Sequence, residues 1–209
     1  SPELRERNQQ WHDQYGVRQQ FPSVYLMTPE GVAYARTGYQ RGGADAYNRH
    51  LEEIRNGDER QKVGEMLRLY AADPDNEQGD RLAVAYQLYN RAGGEFREAL
   101  LETIRRFDAE DSKLIVAGAA MDEFMAKHFR QPRPDWAAVK TDALALATDQ
   151  PSVERMTQFQ MYLALAYAYT GDGEASAAAI ARAEELGMSR PMKAWLDARL
   201  AEVDRANEQ

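Results

Sequence analysis

The chain has 209 residues, a formal net charge of −8 and a hydrophobic fraction of 44%, an ordinary composition for one or two folded domains with a real core. Its arginines are scattered among 34 acids, so no basic stripe is offered to a phosphate backbone and no nucleic acid partner is expected. Without cysteine the chain has no disulfide, thiolate metal site or thiol nucleophile of its own, and no apolar run approaches the ~18 residues of a membrane span, so no membrane partner is expected.

Residues 3–15 carry a helical pattern with Leu4, Trp11 and Tyr15 pointing inward, and Gly16 stops it. "SVYLMT" (23–28) has the β-branched and aromatic composition of a strand, "PEG" (29–31) is turn chemistry, and 32–37 supplies a second strand. The two make a β-hairpin. "GYQRGG" ends it, and 44–55 reads as a helix with Tyr47, Leu51 and Ile54 on one face.

This order of elements, with Tyr15, Val17, Pro22, Ser23, Gly31, Gly38 and Tyr39 at matching places, resembles the C-terminal half of a thioredoxin-like domain. The resemblance covers about a quarter of the chain. It implies that Pro22 is the cis-proline beside a redox dithiol, although Ser23 stands where the family has threonine. It also implies a C-x-x-C half that would precede Ser1. Thiol–disulfide exchange needs a thiolate, so this chain by itself is not expected to catalyse it. The compartment is left open by composition; the resemblance points to a periplasmic setting. No signal-peptide pattern is visible, and a start at Ser1 fits a mature chain, a trimmed chain or a fragment. A lone hairpin is marginal in water, and its open edge is a template for another strand. The expected remedies are helices that cover it, a missing N-terminal half, or a second copy of the chain pairing with that edge.

Beyond residue 57 strand signals disappear. Helices are expected over 58–71, 79–92, 95–107, 111–129, 135–148, 152–170, 173–187 and 190–206, separated by short Gly-, Pro- and Asp-bearing breaks. Short breaks make neighbouring helices antiparallel. Weakly similar units start at Gly94, Pro134 and Gly171, spaced 40 and 37 residues apart. The last unit resembles a tetratricopeptide repeat through Leu163, Ala164, Tyr167, Gly171, Ala183 and Leu186, with Gln160 and Ser176 departing from the pattern. Small residues there would let paired helices approach closely and stack.

Candidate chemistry is sparse. His12, His50 and His128 share no metal-ligand spacing, so no metal is expected. The acid pairs read as solvated helix faces. "DPDNEQGD" (73–80) lacks the sixth-place glycine and twelfth-place glutamate of a calcium loop and reads as a helix connection. No phosphate loop occurs, and no cofactor is expected. Methionine and aromatic residues cluster in "MDEFMAKHF" and "MTQFQMYLALAY", where Phe124, Met125, Phe159 and Tyr162 are the candidates for lining a peptide groove.

The expectation is therefore a mainly α fold with tetratricopeptide-like helical hairpins (57–209) behind a short α/β segment (1–56) that contains one β-hairpin. Its expected function is non-catalytic protein or peptide interaction, with the N-terminal piece as an orienting cap or docking edge. The alternative is a C-terminal fragment of a thioredoxin-like oxidoreductase whose dithiol lies upstream.

Overall fold

The computed structural model describes residues 23–72, 80–130 and 133–207. The expected helix over 3–15, Pro22, and all but the last residue of the 73–80 connection fall outside them. The described residues are mostly helical, with one two-stranded antiparallel hairpin near the N-terminal end. The chain divides into two compact units between Ala109 and Glu110. The sequence pattern alone places the boundary at 56/57.

In the first unit, β1 (Ser23–Met27) pairs with β2 (Ala33–Gly38) in the register Val24–Thr37, Tyr25–Arg36 and Leu26–Ala35, with an irregularity after Leu26. The turn closes through Thr28 N–H to Val32 O (2.9 Å) and Gly31 N–H to Thr28 O (3.0 Å). α1 (Gly43–Arg55) follows, then α2 (Asp58–Ala72), α3 (Asp80–Tyr89) and α4 (Gly94–Phe107). Within the first unit the hairpin tip is tied to the helices by backbone hydrogen bonds. Ala33 N–H donates to Arg91 O at 2.7 Å, Gly93 N–H donates to Gly31 O at 3.2 Å, and Val32, fully buried, bridges Ala92. The turn, a free loop by its sequence, thus pairs with the α3–α4 connection.

Leu100, Leu101 and Ile104 recur at helical spacing on α4 and are buried, as are Val63, Val84, Ala85 and Leu88 of α2 and α3. The buried Tyr70 and Thr103 hydroxyls are paired. Tyr70 Oη and Thr103 Oγ1 lie 2.7 Å apart, and both lie within hydrogen-bond reach of Ala99 O (3.2 and 3.0 Å). The α1 face with Tyr47, Leu51 and Ile54 is half-buried, and His50 Nε2 sits 2.8 Å from Thr37 Oγ1 at the end of β2.

The second unit contains α5 (Ile115–His128), α6 (Trp136–Asp149), a 3-10 turn (Pro151–Arg155), α7 (Thr157–Tyr169), α8 (Gly173–Glu185) and α9 (Arg190–Asn207). Two expected helices are shorter than their patterns. The 111–129 helix starts only at Ile115, because Asp111 and Leu114 both take positive φ (49° and 54°). The 152–170 helix is broken at Met156 between the 3-10 turn and α7. One core cluster joins Ala117, Met121, Phe124, Val139, Ala143, Val153, Phe159 and Ala166; a second joins Met161, Leu165, Ala183 and Leu196.

α7 and α8 form a hairpin held by small residues. Ala164 and Ala183 are fully buried, and Ser176 Oγ donates across the crossing to Ala164 O at 2.9 Å. Asp172 caps α8 by accepting from Ala175 N–H at 3.1 Å. Both α7 and α8 end in the paired hydrogen bonds of a left-handed C-terminal cap: Asp172 N–H to Tyr167 O with Gly171 N–H to Ala168 O, and Met188 N–H to Ala183 O with Gly187 N–H to Glu184 O. Gly171 and Gly187 have φ of 79° and 87°. An added Cβ would meet no atom within 4 Å at either site, so the penalty there is purely conformational. Gly171→Ala is expected to cost about 1–2 kcal/mol and Gly171→Asn clearly less, since asparagine visits this region more readily. Urea unfolding of the three proteins measures both; equal losses for alanine and asparagine would contradict the cap.

Candidate functional site

The second unit carries a groove of about 520 Å³ with walls of aromatic rings. That volume lies within the range of small-ligand and side-chain pockets. Three helical faces build it. On α7, Tyr162, Leu165 and Tyr169 stand at i, i+3 and i+7; on α9, Trp195, Arg199 and Glu202 stand at i, i+4 and i+7; Phe129 and Trp136 flank the α5–α6 connection. Asp135 fixes the start of α6 by accepting from Ala137 and Ala138 N–H (3.1 and 3.2 Å), which sets the direction of Trp136.

The rings form a continuous chain. Trp136 and Tyr169 stack with centroids 4.5 Å apart and planes 3° from parallel. Phe129 meets Trp136 at 5.8 Å and Tyr162 at 4.7 Å, and Tyr162 meets Trp195 at 5.8 Å. Such tilted and stacked pairs are favourable ring geometries, worth about 0.5–1.5 kcal/mol each beyond their buried area. The chain ends on an open side, because Trp195 is 38% exposed. Burial pushes the Tyr162 hydroxyl above its ordinary range, with a Gln158 hydrogen bond and the Arg199 charge opposing it. Tyr162 therefore stays neutral across the physiological range. Arg199 Nη1 donates to Glu202 Oε2 at 2.9 Å, and its guanidinium carbon stands 6.0 Å from the Trp195 ring centre.

The sequence candidates scatter across this region. Tyr162 lines the groove. Phe124 (6% exposed) and Phe159 (0%) belong to the core cluster, and Met125 packs against that cluster. Sequence reasoning misses Trp136, Tyr169, Trp195 and Arg199, although the spacing of Tyr162 with Tyr169 and of Trp195 with Arg199 is visible there.

Other polar constellations have structural work. His128, 9% exposed, places Nε2 2.8 Å from Asp142 Oδ2. Lys127, 2.5 Å from the same oxygen, does most to hold the Asp142 carboxyl below its ordinary range. Ser152 Oγ reaches Asp111 Oδ2 at 2.9 Å, but that carboxylate is committed to capping α5. His12 and Pro22 are outside the described residues. Among the described residues no group of three or more metal-ligating side chains converges, and no helix is long and apolar enough to cross a membrane. In the first unit, a more open hollow between the hairpin turn and α2 is edged by Arg55, Arg60 and Arg68. Arg60 and Arg68 there are engaged with Arg55 O and Glu65.

Comparison with known proteins gives no matching family model, no matching curated protein and no matching solved structure.

Proposed function

We propose that the chain is a non-catalytic protein-interaction module that holds a peptide segment in the aromatic groove of the second unit. The observation that carries this reading is the linked ring wall from Trp136 to Trp195, preformed on three helices and open at Trp195. Aromatic side chains supply large contact area at small entropic cost, which is why they dominate binding hot spots. Helical hairpins with small residues at their crossings, as at Ala164, Ser176 and Ala183, are the architecture that the tetratricopeptide-like resemblance implies.

The test is selection of displayed peptides on the full chain, followed by Trp195→Ser. Selected peptides are expected to lose at least about tenfold in affinity on this change while stability falls by only about 1 kcal/mol, because an exposed hot-spot ring contributes more to binding than to folding. Selected peptides that bind the variant unchanged would place binding elsewhere and reject the groove.

The thioredoxin-like segment serves in this reading as a docking edge with no redox chemistry of its own. A second reading, a C-terminal fragment of a thiol–disulfide oxidoreductase, is favoured by the Tyr15-to-Tyr39 motif and by the pairing of β1 with β2 alone among the described residues. Intact mass of the protein captured from its source separates the two. A mass matching Ser1–Gln209 removes the second reading, and a larger one with upstream cysteines moves it to first place.

A further inference from the structure

Resting on the groove reading, we propose that its occupant is an acidic protein segment, in which an aromatic or branched apolar side chain is flanked by carboxylates. The apolar part follows from the rings. The acidic part follows from the cations at the rim. The groove lining contains two guanidinium groups, Arg133 and Arg199, against one carboxylate, Glu202. Arg133 is exposed and makes no ion pair or hydrogen bond among the described residues. Arg199 pairs with Glu202, its one ion-pair partner among the described residues, and lies over Trp195.

This is a local excess of positive charge on a chain whose net charge is −8. A guanidinium presents a planar fork that matches a carboxylate, and such charge-assisted hydrogen bonds are stronger than neutral ones. Beside a low-dielectric wall of rings, the attraction is somewhat less screened than in bulk solvent. A ligand carboxylate would satisfy Arg133 outright and compete with Glu202 for Arg199. A cationic ligand is disfavoured twice: it meets two guanidinium groups, and the Trp195 face that would attract it already carries Arg199.

Glu202 thus acts as a built-in competitor, which gives the proposal a signature beyond simple loss. Three acetylated, amidated octapeptides serve as probes, each with a central phenylalanine flanked by glutamates, glutamines or lysines. Tryptophan fluorescence of the full chain reads binding, since Trp136 and Trp195 both line the groove. The glutamate peptide is expected to bind about tenfold tighter than the glutamine peptide, the change that one added charge-assisted contact brings. The lysine peptide should be weakest. Arg133→Ala and Arg199→Ala should erase the glutamate preference, so that each variant binds the glutamate and glutamine peptides equally. Glu202→Gln should tighten the glutamate peptide severalfold. A nonspecific response to a chain of net charge −8 would rank the lysine peptide first, so the order separates local recognition from bulk charge. If glutamine or lysine peptides bind as well as the glutamate peptide, and Trp195→Ser still weakens them, the acidic preference is wrong and the groove stands. If none of the three shifts the fluorescence or binds by calorimetry at millimolar concentration, both the preference and the groove reading fail.

Discussion

Replacing Asp111 by alanine is expected to lower the stability of the second unit by roughly 3 kcal/mol, since each buried donor left unpaired costs about 1–3 kcal/mol. The Asp111 residue is 1% exposed. Its Oδ1 accepts from Val116 N–H at 3.0 Å, and Oδ2 accepts from Ala117 N–H at 2.7 Å and from Ser152 Oγ at 2.9 Å. Two of these donors are the otherwise unpaired N–H groups at the start of α5, where the helix dipole favours an anion. The main chain is committed as well: Leu114 N–H and Arg155 Nη2 both reach Asp111 O, at 2.9 and 2.6 Å. Alanine removes the anion and leaves three donors facing a cavity. It is also poorly suited to the positive φ of 49°. Asp111→Asn keeps one acceptor and tolerates that φ, so about half the loss is expected. Urea unfolding followed by tryptophan fluorescence measures both variants, with Trp136 and Trp195 reporting on this unit. A loss below about 1 kcal/mol for alanine would mean that water replaces the carboxylate and that α5 is not held from Asp111.

This junction also shows where sequence reading stops. In "DSKLIVAGAAMDEFMAKHF" Asp111 and Ser112 are cap-type residues, but the sequence does not say that the helix waits until Ile115. The start of α5 is set by the Asp111 carboxylate on Val116 and Ala117 N–H, and Ser152 and Arg155, some forty residues downstream, hold Asp111 in place. The break at Met156 has the same character, since the 3-10 turn before it packs on α5 and α6. By contrast, β1, β2 and α1 are legible to within a residue or two. Turn residues and alternation are local signals, and both lie within a few positions of the element they set. The tie between Ala33 and Arg91 is not legible, because backbone pairing between distant segments leaves no residue signature. The groove is legible only at Tyr162. An aromatic face on one helix reads the same whether a neighbouring helix covers it or leaves it open, and that is settled by where α9 lies.

The difference between Phe159 and Trp195 turns this ambiguity into a measurement. Both are aromatic residues on helices of the second unit, and from sequence both qualify as groove or core. Phe159 is 0% exposed within the cluster of Met121, Phe124, Val139 and Ala143, whereas Trp195 is 38% exposed at the groove mouth. Phe159→Ala opens a cavity in a packed core and is expected to cost about 3–5 kcal/mol. Phe159→Leu, which refills most of that volume, should cost well under half as much. Trp195→Ser should cost about 1 kcal/mol, through its contact with Tyr162. Binding should follow the opposite order. Under conditions where Phe159→Leu is folded, it should hold selected peptides with nearly native affinity, because Phe159 has no surface to present to them. Denaturant curves and peptide titrations on the same three variants read both quantities. If Phe159→Leu weakened peptides more than Trp195→Ser did, the peptide would have to enter between α5, α6 and α7, where the described side chains already fill the core. That result would require the helices to separate on binding, and the ring wall from Trp136 to Trp195 would no longer be the surface that recognises the partner.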